Sequence, residues 1–168
     1  VVFGGEYATA VASAITESYN GTNWTEVNDL NGARYRVSST GSSNTNALSY
    51  LGRNVSNTKQ ATNESWNGSN WTELADLSQA RDLAAGFGAD NTSAIAAGGA
   101  TPPNAKVAIT EQWNGSNWTE VNDINTARDD LTGAGIVTSG LVFGGNVPPS
   151  TGATESWNGT NWTEVNDL

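Results

Sequence analysis

The sequence contains no cysteine, no histidine and no methionine. Without cysteine no disulfide holds the fold, the redox compartment is unmarked, and no thiolate can serve as a nucleophile. Without histidine the commonest imidazole base is missing, and so are zinc and copper sites of the usual types. The expectation is therefore a chain without a metal or organic cofactor, and one that is not an enzyme.

Charge is scarce as well. Only 14% of the 168 residues are charged, and the net charge is −10 with no long basic segment to relieve it. Phosphate backbones are bound by clustered Lys and Arg, so nucleic acid is excluded as an expected partner. No apolar run reaches the roughly 18 residues of a membrane-crossing helix, and no membrane insertion is expected. The sequence opens on Val rather than Met and shows no signal peptide, which reads as a processed or excised piece of something longer.

What the sequence does have is a repeat. Thr154-Glu155-Ser156-Trp157-Asn158-Gly159-Thr160-Asn161-Trp162-Thr163-Glu164 has earlier copies beginning near Glu17, Glu64 and Glu111. The second aromatic of each copy is Trp24, Trp71, Trp118 or Trp162, at separations of 47, 47 and 44 residues. A period of this size marks a repeat architecture. All seven tryptophans lie inside the repeated stretch, and twelve of the 17 acidic residues occupy repeated positions. The acids then belong to the unit rather than to one site, and a solvated acidic surface is favoured over a ring of cation sites.

Each unit reads as four short strands. Val1-Val2-Phe3-Gly4-Gly5, Leu48 to Gly52, Ile95-Ala96-Ala97-Gly98-Gly99 and Leu141-Val142-Phe143-Gly144-Gly145 are short apolar runs closed by glycine, suited to strands covered on both faces. The glycine pairs should permit unusual dihedrals and let a bulky ring pack on the backbone. Leu51 breaks the pattern. A connection of variable sequence follows each pair, and two of these contain Pro102-Pro103 and Pro148-Pro149. Such a stretch is either a tolerant surface loop or a ligand-facing one.

The Asn-Gly dipeptide between β-prone segments is a strong hairpin signal, because both residues tolerate positive φ. Tyr19, Trp66, Trp113 and Trp157 end one strand of each hairpin, and Trp24, Trp71, Trp118 and Trp162 begin the next. The aromatic pairs could form a sugar-stacking platform, but repetition in every copy favours packing. Burying one such ring contributes at most about 4–6 kcal/mol, from about 150–250 Å² at 25 cal/mol per Å². After the hairpin, Arg34, Arg81 and Arg128 occupy one place in the repeat, where a guanidinium fork can tie neighbouring units together. A Gly-containing strand follows, as in Leu131-Thr132-Gly133-Ala134-Gly135-Ile136-Val137.

In this order the residues resemble the kelch family: Gly144-Gly145 closing a strand, Trp157, then Trp162 on the following strand, with Arg128 and Gly133 before them. The resemblance implies an all-β fold, a β-propeller of four-stranded antiparallel blades. One segment, 1–168, would hold about four blades: 1–30, lacking its initial innermost strand, then 31–77, 78–124 and 125–168. A missing innermost strand would leave an edge to be paired, so the chain should be an arc of a larger ring, completed by further blades of the same chain or by another subunit. Kelch and galactose-oxidase-like relatives range from partner binding to copper oxidation, and the oxidase reading lacks its ligands here. The Trp-Asn-Gly-Thr-Asn-Trp-Thr-Glu units with Ala-Arg links also look like kelch-type arrays in marine bacteriophage and environmental bacterial surface proteins, which implies a virion or an extracellular, cell-surface setting.

The leading expectation is a non-catalytic binding or structural module of a phage tail, fibre or adhesin, with a surface glycan or a protein receptor as partner. A secreted propeller enzyme acting on polysaccharide is the alternative; its acids should be unique to one place, and Asp82 and Asp129-Asp130 are the less regular ones. A pure assembly scaffold is a third. In up-and-down blades the post-glycine loops share a face with the Arg links, opposite the near-identical Asn-Gly hairpins. Recognition is therefore expected at Thr101, Pro102, Pro103, Asn104 and Lys106, and at Val147, Pro148, Pro149, Ser150 and Thr151, where proline limits the entropy lost on binding. The framework is expected in the tryptophans, the three arginines and Gly4, Gly5, Gly98, Gly99, Gly144 and Gly145.

Overall fold

A computed structural model of the chain describes residues 1–7 and 11–168. Part of the first post-glycine connection, residues 8–10, lies outside the described residues. Among those described there is no helix, and the chain is all-β, built from antiparallel sheets of two to four strands.

Strand β1 (Val2–Phe3) is followed by the short pair β2 (Glu6–Tyr7) and β3 (Val11–Ala12), then by β4 (Thr16–Tyr19) and β5 (Trp24–Val27). A three-stranded sheet has the order β1-β4-β5. Next come β6 (Arg34–Tyr35), β7 (Ser38–Ser43), β8 (Asn46–Tyr50), β9 (Arg53–Asn54), β10 (Asn63–Trp66) and β11 (Trp71–Glu73). Of these β7-β8-β10-β11 form the second sheet, and β6 pairs with β9. The third group is β12 (Ala85–Asp90), β13 (Ser93–Ala97), β14 (Ala100–Thr101), β15 (Ala105–Lys106), β16 (Thr110–Trp113) and β17 (Trp118–Val121). Its sheet runs β12-β13-β16-β17, with β14 and β15 paired beside it. The last sheet, β18-β19-β20-β21, comprises β18 (Thr132–Ile136), β19 (Ser139–Phe143), β20 (Thr154–Trp157) and β21 (Trp162–Val165). Strand β12 lies against both β7 and β18, so the Gly-containing strands of the last three sheets are neighbours.

Apolar side chains collect between sheets rather than at one centre. Leu30, Ala47, Trp66 and Trp71 fill the first interface with Phe3 and Val27 packed against them. Leu48, Tyr50, Leu77, Ala94, Ala96 and Trp113 fill the second, and Phe87, Ile95, Ile124, Val142, Trp157 and Trp162 fill the third. Strand β13 shows why its sequence does not alternate: Ala94, Ile95, Ala96 and Ala97 are all fully buried, because both faces of the sheet are covered. Tyr50 spans the second interface, its hydroxyl donating to the Ile95 carbonyl at 2.9 Å. Burial pushes its phenol far above the ordinary tyrosine value.

The hairpins have the strand ends read from the sequence, but asparagine does not take the positive φ expected of it. Trp66 faces Trp71, Trp113 faces Trp118, and Trp157 faces Trp162, so four residues form each loop. Only the glycine takes positive φ, 95° at Gly68 and 92° at Gly115. The asparagine instead accepts through its side chain: Asn67 Oδ1 takes the amides of Ser69 and Asn70, both at 2.9 Å. It folds the loop as an Asx turn, which needs no left-handed asparagine.

The glycine pairs also differ in one respect. Gly98 and Gly99 do have positive φ, 67° and 101°, and Leu51 adopts 60° in the place of the first glycine. What lies against them is link backbone rather than a ring: a Cβ on Gly98 would stand 2.8 Å from the Arg128 carbonyl oxygen, and one on Gly99 2.7 Å from that of Asp82. The ring seated on glycine is Phe87, which a Cβ on Gly133 or Gly140 would strike at 2.7 or 2.5 Å. Phe87 belongs to the third sheet and those glycines to the fourth, so glycine there sets the spacing between sheets.

Candidate functional site

The two ends of the sheets are chemically distinct. At one end the indoles close the structure: Trp66, Trp113 and Trp157 donate through Nε1 to the carbonyls of Asn44, Asn91 and Val137, at 2.9, 3.1 and 2.8 Å. The Asn-Gly loops therefore sit beside the turns that join the first two strands of each four-stranded sheet. At the other end the post-glycine connections meet the inter-sheet links, through Gly5 to Arg34, Gly52 to Arg81 and Gly99 to Arg128 backbone bonds of 2.8–3.0 Å.

The first end is a frame. Trp66, Trp113 and Trp157 are buried, as are Trp71 and Trp162, and Trp118 is half-buried against Tyr50 with ring centroids 4.9 Å apart. Each second tryptophan packs on the preceding sheet, Trp71 on Phe3 at 4.7 Å and Trp162 on Phe87 at 6.4 Å. Trp24 departs from this and is 52% exposed, with Tyr19 beside it at 5.1 Å. No described sheet precedes the first one, so this ring has only its hairpin partner to pack on.

Buried ion pairs fix the links. Arg34 reaches Glu64 at 2.6 Å, Arg81 reaches Glu111 at 2.7 Å, and Arg128 reaches Glu155 at 3.1 Å. Each carboxylate also accepts a backbone amide of the same link, from Asn31, Ser78 or Asn125, at 2.7–2.8 Å. The expectation of a solvated acidic surface fails for this set: Glu64, Glu111 and Glu155 are buried, because each is clamped by a guanidinium and an amide at once. Burial pulls the Arg34 guanidinium below its ordinary value, and the Glu64 charge opposes that shift.

The two expected recognition loops occupy the second end. Thr101 and Ala105 pair across a tight loop whose tip is Pro102, Pro103 and Asn104, all exposed. The peptide bonds between Pro102 and Pro103 and between Pro148 and Pro149 are cis. Val147, Pro148, Pro149, Ser150 and Thr151 line a groove of about 400 Å³ together with Thr126, Glu164 and Asp167. The loops are linked through one chain of contacts: Lys106 Nζ pairs with the Asp129 carboxylate, and the Asp129 carbonyl accepts from the Asn146 amide at 2.7 Å.

Beside the first loop lies a cluster that sequence reasoning did not assemble. Asp82 is fully buried and receives three cations: Arg53 Nε at 2.5 Å, Lys59 Nζ at 3.0 Å and Arg36 NH1 at 3.7 Å. Lys59 is buried too and donates to the carbonyls of Ala100 and Thr101, at 2.9 and 3.1 Å. Arg53 donates further to Asn57 Oδ1 at 2.8 Å and to Asn104 Oδ1 at 3.2 Å, and its bond to Asp82 holds the guanidinium above the ordinary value. One signal was available: Lys59 and Lys106 are 47 residues apart, and so are Asp82 and Asp129. Asp82 and Asp129 are thus equivalent repeat positions rather than irregular acids, each held by a lysine.

Comparisons with known proteins bear on the fold alone. No family model and no curated protein matches the sequence. Among solved structures, 155 chains match the fold. One, described as "Structure of YjhT", superposes with a TM-score of 0.72 at 13% sequence identity. The match covers 92% of this chain and 53% of the other, so the chain spans about half the length of that structure.

Proposed function

We propose that the four larger sheets are blades of a kelch-type β-propeller, in residues 1–30, 31–77, 78–124 and 125–168, and that the chain is a non-catalytic binding or structural module of a virion or cell-surface protein. Its ligand is a surface glycan or a receptor protein, met by the post-glycine loops. The observation that carries this reading is the division of labour between the ends. Repeated ties hold the links and the hairpins, while sequence variation gathers at Thr101–Lys106, whose tip is exposed, and at Val147–Thr151, which line a surface groove.

Further blades, from the same chain or another subunit, are part of the proposal. Among the described residues β1 pairs only with β4, and a groove of about 470 Å³ lined by Val1, Phe3, Thr40 and Gly41 runs beside its other edge. In the other three sheets a Gly-containing strand takes that place. Such an open edge invites pairing. The experiment is a glycan and receptor screen with the wild-type chain, then with residues 101–105 and 147–151 exchanged for Gly-Ser linkers and Lys106 kept for its tie to Asp129. Binding lost at unchanged melting temperature supports the reading; binding that survives the exchange and falls on substitution of the Asn-Gly loops overturns it.

A further inference from the structure

The seven basic residues can be accounted for one by one. Arg34, Arg81 and Arg128 are spent on buried glutamates, and Lys59 and Lys106 on Asp82 and Asp129. Arg36 and Arg53 remain, and both form their ion pairs with Asp82, which Lys59 already engages. Three cations meet one carboxylate, three minus one, leaving a local surplus of two positive charges in a chain of net charge −10.

The surplus is unique to this place. At the position of Arg36 the next two units carry Leu83 and Asp130, all three with left-handed backbone, φ 53°, 56° and 58°. At the position of Arg53, which pairs with Tyr35, they carry Ala100 and Asn146, which pair with Asp82 and Asp129. Frame residues recur; these two do not.

The two guanidinium groups also differ in freedom. Arg53 is fixed, with donors committed to Asp82, Asn57 and Asn104. Arg36 is not: its contact with Asp82 exceeds hydrogen-bond length, its side chain is 43% exposed, and the Tyr35 ring supports it from 5.6 Å. Its planar fork therefore faces solvent with donors available, steadied by a ring and beside a second positive charge. Such a fork matches a carboxylate or sulfate bidentately. Around the neighbouring Arg53 stand Asn57 and Asn104, both exposed, whose side-chain amides suit the hydroxyls of a sugar.

We infer that Arg36, backed by Arg53, binds the carboxylate or sulfate group of an acidic saccharide. This rests on the reading that the post-glycine end is the recognition end, and it names the ligand class for that end. Salt screens the repulsion between an anionic ligand and the rest of the chain as well as the local attraction, so comparing low with physiological salt separates the two.

The test is calorimetric titration of the full chain with a galacturonate hexamer, a heparin hexasaccharide, maltohexaose and a poly-glutamate peptide, at low and at physiological salt. The wild type is expected to bind at least one acidic saccharide, and the better of the two identifies carboxylate or sulfate. Arg36→Leu, which installs the residue of the next unit, should weaken that binding by about tenfold or more, with Arg36→Lys between the two. The melting temperature should hold for both, and Arg36→Gly serves if leucine perturbs folding. No acidic saccharide bound by the wild type, or equal binding by Arg36→Leu, overturns the inference. Binding of poly-glutamate alone through Arg36 overturns the saccharide class. Maltohexaose bound in a manner that needs the Thr101–Lys106 loop would leave the proposed function standing while this inference falls. Binding that follows only the Asn-Gly loops would sink both.

Discussion

The link between the second and third sheets and the link between the third and fourth use the same device with different company. In both, a lysine from a post-glycine connection reaches an aspartate that directly follows a buried arginine. Around Asp82 two further arginines converge, and the aspartate is sealed from solvent. Around Asp129 no further described basic residue comes within ion-pair distance, and its side chain keeps 13% of its exposure. The shared part is a tie that both of these links make. What differs is charge beyond the needs of the tie, and charge that the frame does not require is where recognition has room to act. Burial amplifies the contrast, because a paired charge in low dielectric is far costlier to orphan than one at the surface.

The largest expected effect follows from that burial. Asp82→Ala leaves Lys59 buried with two further cations, Arg53 and Arg36, and should cost about 3–5 kcal/mol, against about 1 kcal/mol for Asp129→Ala. Urea midpoints of the two variants measure the difference directly. Equal costs would mean that the extra arginines and the deeper burial count for nothing.

A second contrast concerns the tryptophans. Trp118→Ala removes a half-buried ring and should cost about 2–3 kcal/mol, less than the full loss from a closed core. Trp24→Ala, at the same repeat position but exposed, should cost about 0.5 kcal/mol or less. If the two variants melt together, repeat position rather than packing governs these rings, and the division between frame and departure loses its physical basis.

Smaller again is the lysine pair. Lys59→Met removes charge-assisted bonds to two carbonyls yet leaves Asp82 its arginine, for about 1.5–3 kcal/mol. Lys106→Met, partly in solvent, should cost about 1 kcal/mol or less. One small effect has the opposite sign. Arg36→Gly relieves a left-handed backbone at an exposed position and should stabilise the chain by about 0.5–1 kcal/mol. A chemical-denaturation series would show it, and a loss of stability there would mean that Arg36 belongs to the frame after all.

Local features were legible in the sequence. The 47-residue period, the four strands per unit and the hairpins at Asn-Gly all follow from turn chemistry and apolar runs, which neighbouring residues decide among themselves. The asparagine's role was misread because a residue before glycine can take positive φ itself or cap the loop through its side chain, and Asn67 does the second. The arginine ties were legible as ties, but their partners were not. Glu64 stands 30 residues beyond Arg34, with nothing between them to mark it apart from the other repeated acids.

The sequence alone determined that this chain is a repeat of short antiparallel strands, without thiol or imidazole chemistry, because composition and period are properties of the chain read along its length. Tertiary structure decided the rest. Which acids are buried, which tryptophan stays in solvent, and which cations share one aspartate all depend on sheet lying against sheet. Arg36, Arg53, Lys59 and Asp82 span 47 residues of chain and meet only because two successive links and the connections between them converge at one end. Burial and charge pairing are set by distance in space, and distance in space is what the fold supplies.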